Sequence, residues 1–181
     1  MKILKMIVVL TLIGLISGGV LAYVYQWAEL KIAANQVRET DAAVFKVVPG
    51  TKSYKTIAKD DLTYFECFDD VDGKLGTAIL CQGNGYQGVI KLIVGVNADF
   101  SKFTGMSVLE QLETPGLGAK ISEAVFQAQF NNLAARPPIE YVKGISPSKP
   151  NEIQAITGAT ISSRSVVNII NKTIEEWLRV K

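Results

Sequence analysis

Hydrophobic positions fall along this chain in three different rhythms. The first is an unbroken run. From Met6 to Ala28 there is no charged residue. About twenty helical residues at roughly 1.5 Å each cross a hydrocarbon core of about 30 Å, so the run predicts a membrane-spanning helix. Tyr23, Tyr25 and Trp27 stand at its far end, where amphipathic rings favour the headgroup level. Lys2 and Lys5 precede it, which favours a cytoplasmic N-terminus and an extracytoplasmic remainder. A cleaved signal peptide is the competing reading, but the run is long and no small-x-small site follows it. Gly14 and Gly18 form a Gly-x-x-x-Gly pair that either admits a second transmembrane helix or is ordinary membrane-helix glycine.

The second rhythm is helical. Leu30, Ala33, Val37, Val44 and Val48 share a face over 29–48, and Val48-Pro49-Gly50 ends the pattern. This stretch predicts a stalk. Near the C-terminus, Val166, Ile169, Ile170, Thr173, Ile174, Trp177 and Leu178 recur at three- and four-residue spacing and predict a strong amphipathic helix. A further helix is predicted over Ile121 to Leu133. The third rhythm is that of strands. Thr63 to Phe68 and Leu75 to Gln82 flank an Asp72-Gly73 turn, and Gln82-Gly83-Asn84-Gly85 reads as a second turn. Val89 to Val96 is almost wholly apolar and predicts a strand inside a sheet. Phe103 to Leu109 follows it, and Ile139 to Lys143 predicts an edge strand. Asp60-Asp61 marks the start of another short segment. Together these predict an α+β protein, with a single N-terminal transmembrane helix and one domain built on a mostly antiparallel sheet with flanking helices. The expected divisions are an anchor over 1–28, a helical stalk over 29–50 and a folded domain over 51–181.

Charge and composition narrow the chemistry. Lys and Arg total 19 and Asp and Glu 17, and two of the lysines lie ahead of the apolar run, so the rest of the chain is neutral. Phosphate-backbone binding needs a basic surplus, which argues against nucleic acid as a partner. The 181 residues include no histidine. That removes a Ser-His-Asp triad, a Cys-His pair, His-ligated haem and the common zinc sites. Cys67 and Cys81 are not in a Cys-x-x-Cys arrangement, so metal ligation by this chain is not expected. They flank the Asp72-Gly73 turn, which leaves open a disulfide across a hairpin or two separate thiols.

Two stretches carry candidate chemistry. Ile156-Thr157-Gly158-Ala159-Thr160-Ile161-Ser162-Ser163 runs directly into the last helix. Serine and threonine are ordinary N-cap residues, so a helix cap is one reading. A phosphate site is the other, because first-turn N–H groups lack intrahelical partners and the helix dipole is positive there. Glu113-Thr114-Pro115-Gly116-Leu117-Gly118 is either a tight strand-to-helix turn or a loop whose backbone can approach a flat ring or a phosphate.

Thr157-Gly158-Ala159-Thr160 resembles the flavinylation signature of the FMN-binding domain found in the G subunit of Rnf complexes and the C subunit of sodium-pumping quinone reductases. Glu113 to Gly118 and Gly85-Tyr86-Gln87-Gly88 are also similar to that family, and all three motifs occur in its order. The resemblance implies FMN held through a phosphoester to Thr160. It implies that Thr157, Gly158 and Ala159 shape the phosphate turn, that Thr114, Gly116, Leu117 and Gly118 line the flavin ring, and that Tyr86 and Glu113 make further contacts. The chain departs from the family pattern twice. Gln154 stands where the family commonly has Asp, three residues before the first hydroxyl, and Gln111 stands where it often has His.

The chain has no P-loop and no dinucleotide fingerprint. The family attaches its flavin with a separate transferase that takes FMN from FAD. Redox chemistry would then come from the cofactor, with no catalytic residue and no metal supplied by this chain. The implied function is an electron-relay subunit of a membrane-bound, ion-translocating ferredoxin:NAD oxidoreductase. Its partners would be other membrane subunits, which handle NAD and ferredoxin. The lack of a large insertion between the motifs looks more like the Rnf protein than its quinone-reductase counterpart. The other readings are a stand-alone membrane-anchored flavoprotein for extracellular electron transfer and a non-redox anchored interaction domain.

Overall fold

A computed structural model describes residues 2–59 and 62–180 of the chain; Asp60-Asp61 lies outside the described residues. A single helix, α1 (Lys2–Val47), carries both the apolar run and the stretch expected as a stalk, with no break between them. Among the described residues it is the one helix long and apolar enough to cross a membrane, with a mean hydropathy of 2.4 in its best window. The chain divides into two units, Met1–Glu39 and Thr40–Lys181. In the first, Ile7, Leu12, Leu15, Val20 and Leu21 are all more than half exposed. Apolar side chains on every face of a helix suit a lipid surround.

The second unit is built on a five-stranded antiparallel meander in sequence order. Its strands are β1 (Ser53–Lys59), β2 (Leu62–Phe68), β3 (Lys74–Asn84), β4 (Val89–Asn97) and β5 (Phe103–Glu110). β3 and β4 pair continuously from Gly76↔Asn97 to Asn84↔Val89. A second, two-stranded sheet pairs β6 (Glu140–Val142) with β7 (Glu152–Gln154) in parallel. The C-terminal helix is α3 (Thr160–Val180).

Both faces of the main sheet are covered, which explains the apolar run of β4. Leu92 and Val94 point with Ile79 and Cys81 into a core shared with Val166, Ile170, Ile174 and Trp177 of α3. Ile93 points the other way, with Phe65, Cys67 and Ala78, against Ala43, Val44, Val47 and Val48 at the end of α1. Successive strand residues alternate faces, so a strand buried on both sides loses its polar positions. Cys67 and Cys81 therefore lie on opposite faces. Both are buried free thiols, and the disulfide reading is overturned.

The end of α1 is seated on two glycines. A Cβ on Gly95 would fall on the carbonyl oxygen of Val47, and one on Gly105 would lie 3.3 Å from the Val47 Cα. Thr104 Oγ1 donates to that same carbonyl at 2.5 Å. Tyr54 OH donates to Asp41 Oδ1 at 2.5 Å, and Lys46 Nζ donates to Gln127 Oε1 at 3.0 Å.

Several expectations are corrected. β3 continues through Asn84, and the turn to β4 is Gly85–Gly88, closed by the Gly85 N–H to the Gly88 carbonyl at 2.7 Å. Gly83 is a packing glycine: a Cβ there would lie 2.6 Å from Ile169 of α3. The helix expected over Ile121 to Leu133 is instead a 3-10 turn (Gly118–Ser122), the one-turn α2 (Ala124–Gln127) and another 3-10 turn (Ala128–Phe130). Glu123, extended at φ −76° and ψ 146°, interrupts it, while Ile121, Phe126 and Phe130 still reach the core. Leu178 is 39% exposed, just past the buried face of α3. β1 and β7 are strands that the hydrophobic pattern did not mark.

Candidate functional site

Two turns of the same design meet at the start of α3. In Thr114-Pro115-Gly116-Leu117, the Leu117 N–H donates to the Thr114 carbonyl at 3.1 Å, and Gly116 has φ +74°. In Ile156-Thr157-Gly158-Ala159, the Ala159 N–H donates to the Ile156 carbonyl at 3.0 Å, and Gly158 has φ +82°. A positive φ at the third position is the requirement of a type II turn, and glycine meets it without steric cost. Pro115 pre-sets the second position of the first turn. The turns touch: a Cβ on Gly158 would lie 3.4 Å from Leu117 Cδ2.

The second turn delivers Thr160 as the first residue of α3. The cap is not made by the motif's threonines. Ser163 folds back, its Oγ accepting the Ile156 N–H at 3.0 Å and donating to the Ala159 carbonyl at 3.1 Å. Thr160 is left half-buried, with its hydroxyl at the positive end of a 21-residue helix.

A cleft of about 450 Å³ opens here, lined by Tyr86, Thr114, Leu117, Gly118, Gly158, Ala159, Thr160, Ile161 and Ser162. Ligand sites commonly occupy about 300–1,000 Å³. The cleft thus joins residues from all three sequence motifs, which are far apart in the chain. It combines an apolar wall (Leu117, Ile161), an exposed aromatic ring (Tyr86) and hydroxyls around a helix N-terminus. A ring with a phosphate tail suits those donors and that wall. A larger cavity of about 680 Å³ lies along the C-terminal half of α3, with Phe100, Phe103, Ile174 and Leu178 in its lining, but it holds none of the motif residues.

Three of the expected residues lie off the cleft lining. Gly116 sits exposed in its turn. Thr157 faces a neighbouring groove with Gln154, Lys120 and Glu123. The backbone of Gln154 is clasped by Gln129, whose Oε1 accepts the Gln154 N–H at 2.7 Å. Glu113 lies buried behind the lining. Its Oε1 accepts the N–H groups of Tyr86 at 2.8 Å and Gln87 at 3.0 Å, and its Oε2 accepts the Ser162 hydroxyl. Burial pushes the Glu113 carboxyl up, but the bonds from Ser162 and from the Gln87, Tyr86 and Gly88 backbone outweigh it and hold the group below its ordinary value. Gln111, where the family often has His, accepts the Glu113 N–H at 2.7 Å. Ile161 and Ser162 belong to the Ile156–Ser163 stretch, which the sequence marks without giving either a role, and both line the cleft. The one available signal was a second hydroxyl placed two residues after Thr160.

Residues 85–175, half of the chain, match the family model described as FMN-binding domain. The chain belongs to that family. The matched residues contain the cleft, both turns and the first three-quarters of α3. The whole chain is similar to the G subunit of the ion-translocating oxidoreductase complex of Methanosarcina acetivorans, 28% identical across 96% of this chain and 94% of that protein. It is 32% identical to the G subunit of the proton-translocating ferredoxin:NAD(+) oxidoreductase complex of Clostridium ljungdahlii, across 92% of this chain and 87% of that one. The crystal structure of the C subunit of the Na(+)-translocating NADH-quinone reductase from Parabacteroides distasonis shares the fold, with a TM-score of 0.63 at 18% identity over 82% of this chain and 95% of that one.

Proposed function

We propose that the chain is an electron-relay subunit of a membrane-bound, ion-translocating ferredoxin:NAD oxidoreductase, with FMN esterified through its phosphate to Thr160. Membership of the FMN-binding domain family and similarity to two oxidoreductase-complex G subunits along almost the whole chain support the redox role. The observation that carries the assignment of Thr160 is its position: the first residue of α3, in a cleft that gathers all three motifs. FMN supplies electron transfer in ones and twos, and the protein supplies position and electrostatics. The first-turn N–H groups of α3 would hold the phosphate. Thr157 and Gly158 shape the turn that presents Thr160. Thr114, Leu117 and Gly118, with Tyr86, would border the ring, and Gly116 lets the Thr114–Leu117 turn close. A separate transferase loads the site. Thr160 would be the acceptor, its hydroxyl giving up a proton to take the FMN phosphoryl group from FAD, with AMP as the leaving group.

The apolar stretch of α1 anchors the chain in the membrane. Lys2 and Lys5 ahead of it support a single pass with the FMN-binding domain on the extracytoplasmic side, joined to the other membrane subunits of the complex. Peptide mapping of natively expressed protein tests the reading. One FMN phosphoryl group is expected on the peptide containing Thr160, and none in Thr160→Val, whose unfolding midpoint stays at the wild-type value. A bare Thr160 in the native host, or flavin retained in Thr160→Val, would refute it.

A further inference from the structure

Glu113 is 4% exposed, and among the described residues no ion pair reaches it. A buried carboxylate without a cation is costly unless donors converge on it. Here they converge from separate walls of the cleft. Oε1 takes two N–H groups from the Gly85–Gly88 turn, and Oε2 takes the hydroxyl of Ser162 on the first turn of α3. The Glu113 backbone belongs to the strand-to-turn segment that forms the third wall, and Gln111 pins its N–H. The surroundings are cut to this side chain. A Cβ on Gly85 would strike Glu113 Oε1, and one on Gly118 would lie 2.7 Å from Oε2. A carboxylate accepts at both oxygens and so can bind donors on either side at once.

Building on the proposed function, we propose that Glu113 is a positioning residue: its carboxylate locks the three walls of the cleft together and places a fixed negative charge behind them, so that it sets both the mobility and the midpoint potential of the bound flavin. It need not touch the flavin. A negative charge nearby opposes the addition of an electron, so the native side chain holds the potential down.

The test uses the full-length chain, co-expressed with a flavin transferase, purified in detergent and confirmed by mass to carry FMN. Glu113→Gln keeps an acceptor for the two N–H groups and removes the charge. Its expected result is a positive shift of the midpoint potential at unchanged FMN stoichiometry. Ser162→Ala keeps the charge and cuts the tie to α3. Its expected result is lower flavin fluorescence anisotropy. Wild-type potential and wild-type anisotropy in both loaded variants would overturn the inference. If Glu113→Gln fails to give a cooperative thermal transition, Ser162→Ala decides alone, and unchanged anisotropy overturns it. Unmodified Thr160 in the wild-type chain would instead overturn the proposed function underneath.

Discussion

Consider a single methyl group added at Gly118. An ideal Cβ there lies 2.6 Å from Ser162 Oγ, 2.7 Å from Glu113 Oε2 and 2.8 Å from Glu113 Cβ. None of these atoms is the free end of a mobile chain. Glu113 is fixed by the Tyr86 and Gln87 N–H groups, and Ser162 is bonded to Glu113. Gly118→Ala therefore has two ways out. The loop backbone shifts, at the cost of overpacking, about 1–3 kcal/mol. Alternatively Ser162 and Glu113 part, which forfeits a hydrogen bond to a charged group, about 1.5–3 kcal/mol. Alanine recovers roughly 0.5–1 kcal/mol by restricting the unfolded chain, which is less than either cost. The net expectation is a loss of about 1–2 kcal/mol, or roughly a five- to thirty-fold rise in the unfolded fraction. With a urea slope of about 1–3 kcal/mol/M, the midpoint falls by roughly 0.3 to 2 molar. Fluorescence of Trp177, which is buried in the main core, reports the transition for the full chain in detergent. Covalent flavin content, read on the same samples, is expected to fall as well. A midpoint and a flavin content both equal to wild type would show that the cleft is looser than the geometry says, and the reasoning fails.

The other perturbations address separate parts of the molecule. Gly95→Ala sets a methyl against the Val47 carbonyl and is expected to cost about 1–3 kcal/mol by overpacking, seen as a lower urea midpoint; an unchanged midpoint counts against the seating of α1 on the sheet. Glu113 has its carboxyl held below the ordinary value of 4.5, so the stability it contributes is complete above about pH 4.5 and is lost as pH falls through the lower folded-state value. The stability gap between wild type and Glu113→Gln should accordingly shrink on acidification below about pH 4.5, and a constant gap would contradict this. Burial pushes the Cys81 thiol up to about 12 and raises Cys67 as well. Iodoacetamide at neutral pH should leave both unlabelled in the folded protein and label both after denaturation without reductant; no label in the second case would mean a Cys67–Cys81 disulfide.

What could be read in advance follows from how local each signal is. The membrane run, β4 and α3 each carry a full pattern within their own residues, so they were legible. The short turns at 118–130 were not, because Ile121, Phe126 and Phe130 keep an approximately helical spacing while the backbone at Glu123 is extended. β1 alternates weakly and draws its place from the pairing of Tyr54 with Cys67 across to β2. Gly83 looked like a turn residue because local sequence cannot show Ile169 standing over it. Within the site, the motif residues Tyr86, Thr114, Leu117, Gly118, Gly158, Ala159 and Thr160 line one cleft. The link between Glu113 and Ser162 did not show, since the two are 49 positions apart and neither is unusual alone.

The last turns of α1 have a practical bearing on how this protein can be handled. Val44, Val47 and Val48 are the lid over Phe65, Ala78 and Ile93, and each such valine buried is worth about 1.5–3 kcal/mol. A water-soluble fragment begun after the Pro49-Gly50 turn would bare that side of the sheet and invite self-association. One begun at Thr40 would bring its own roof.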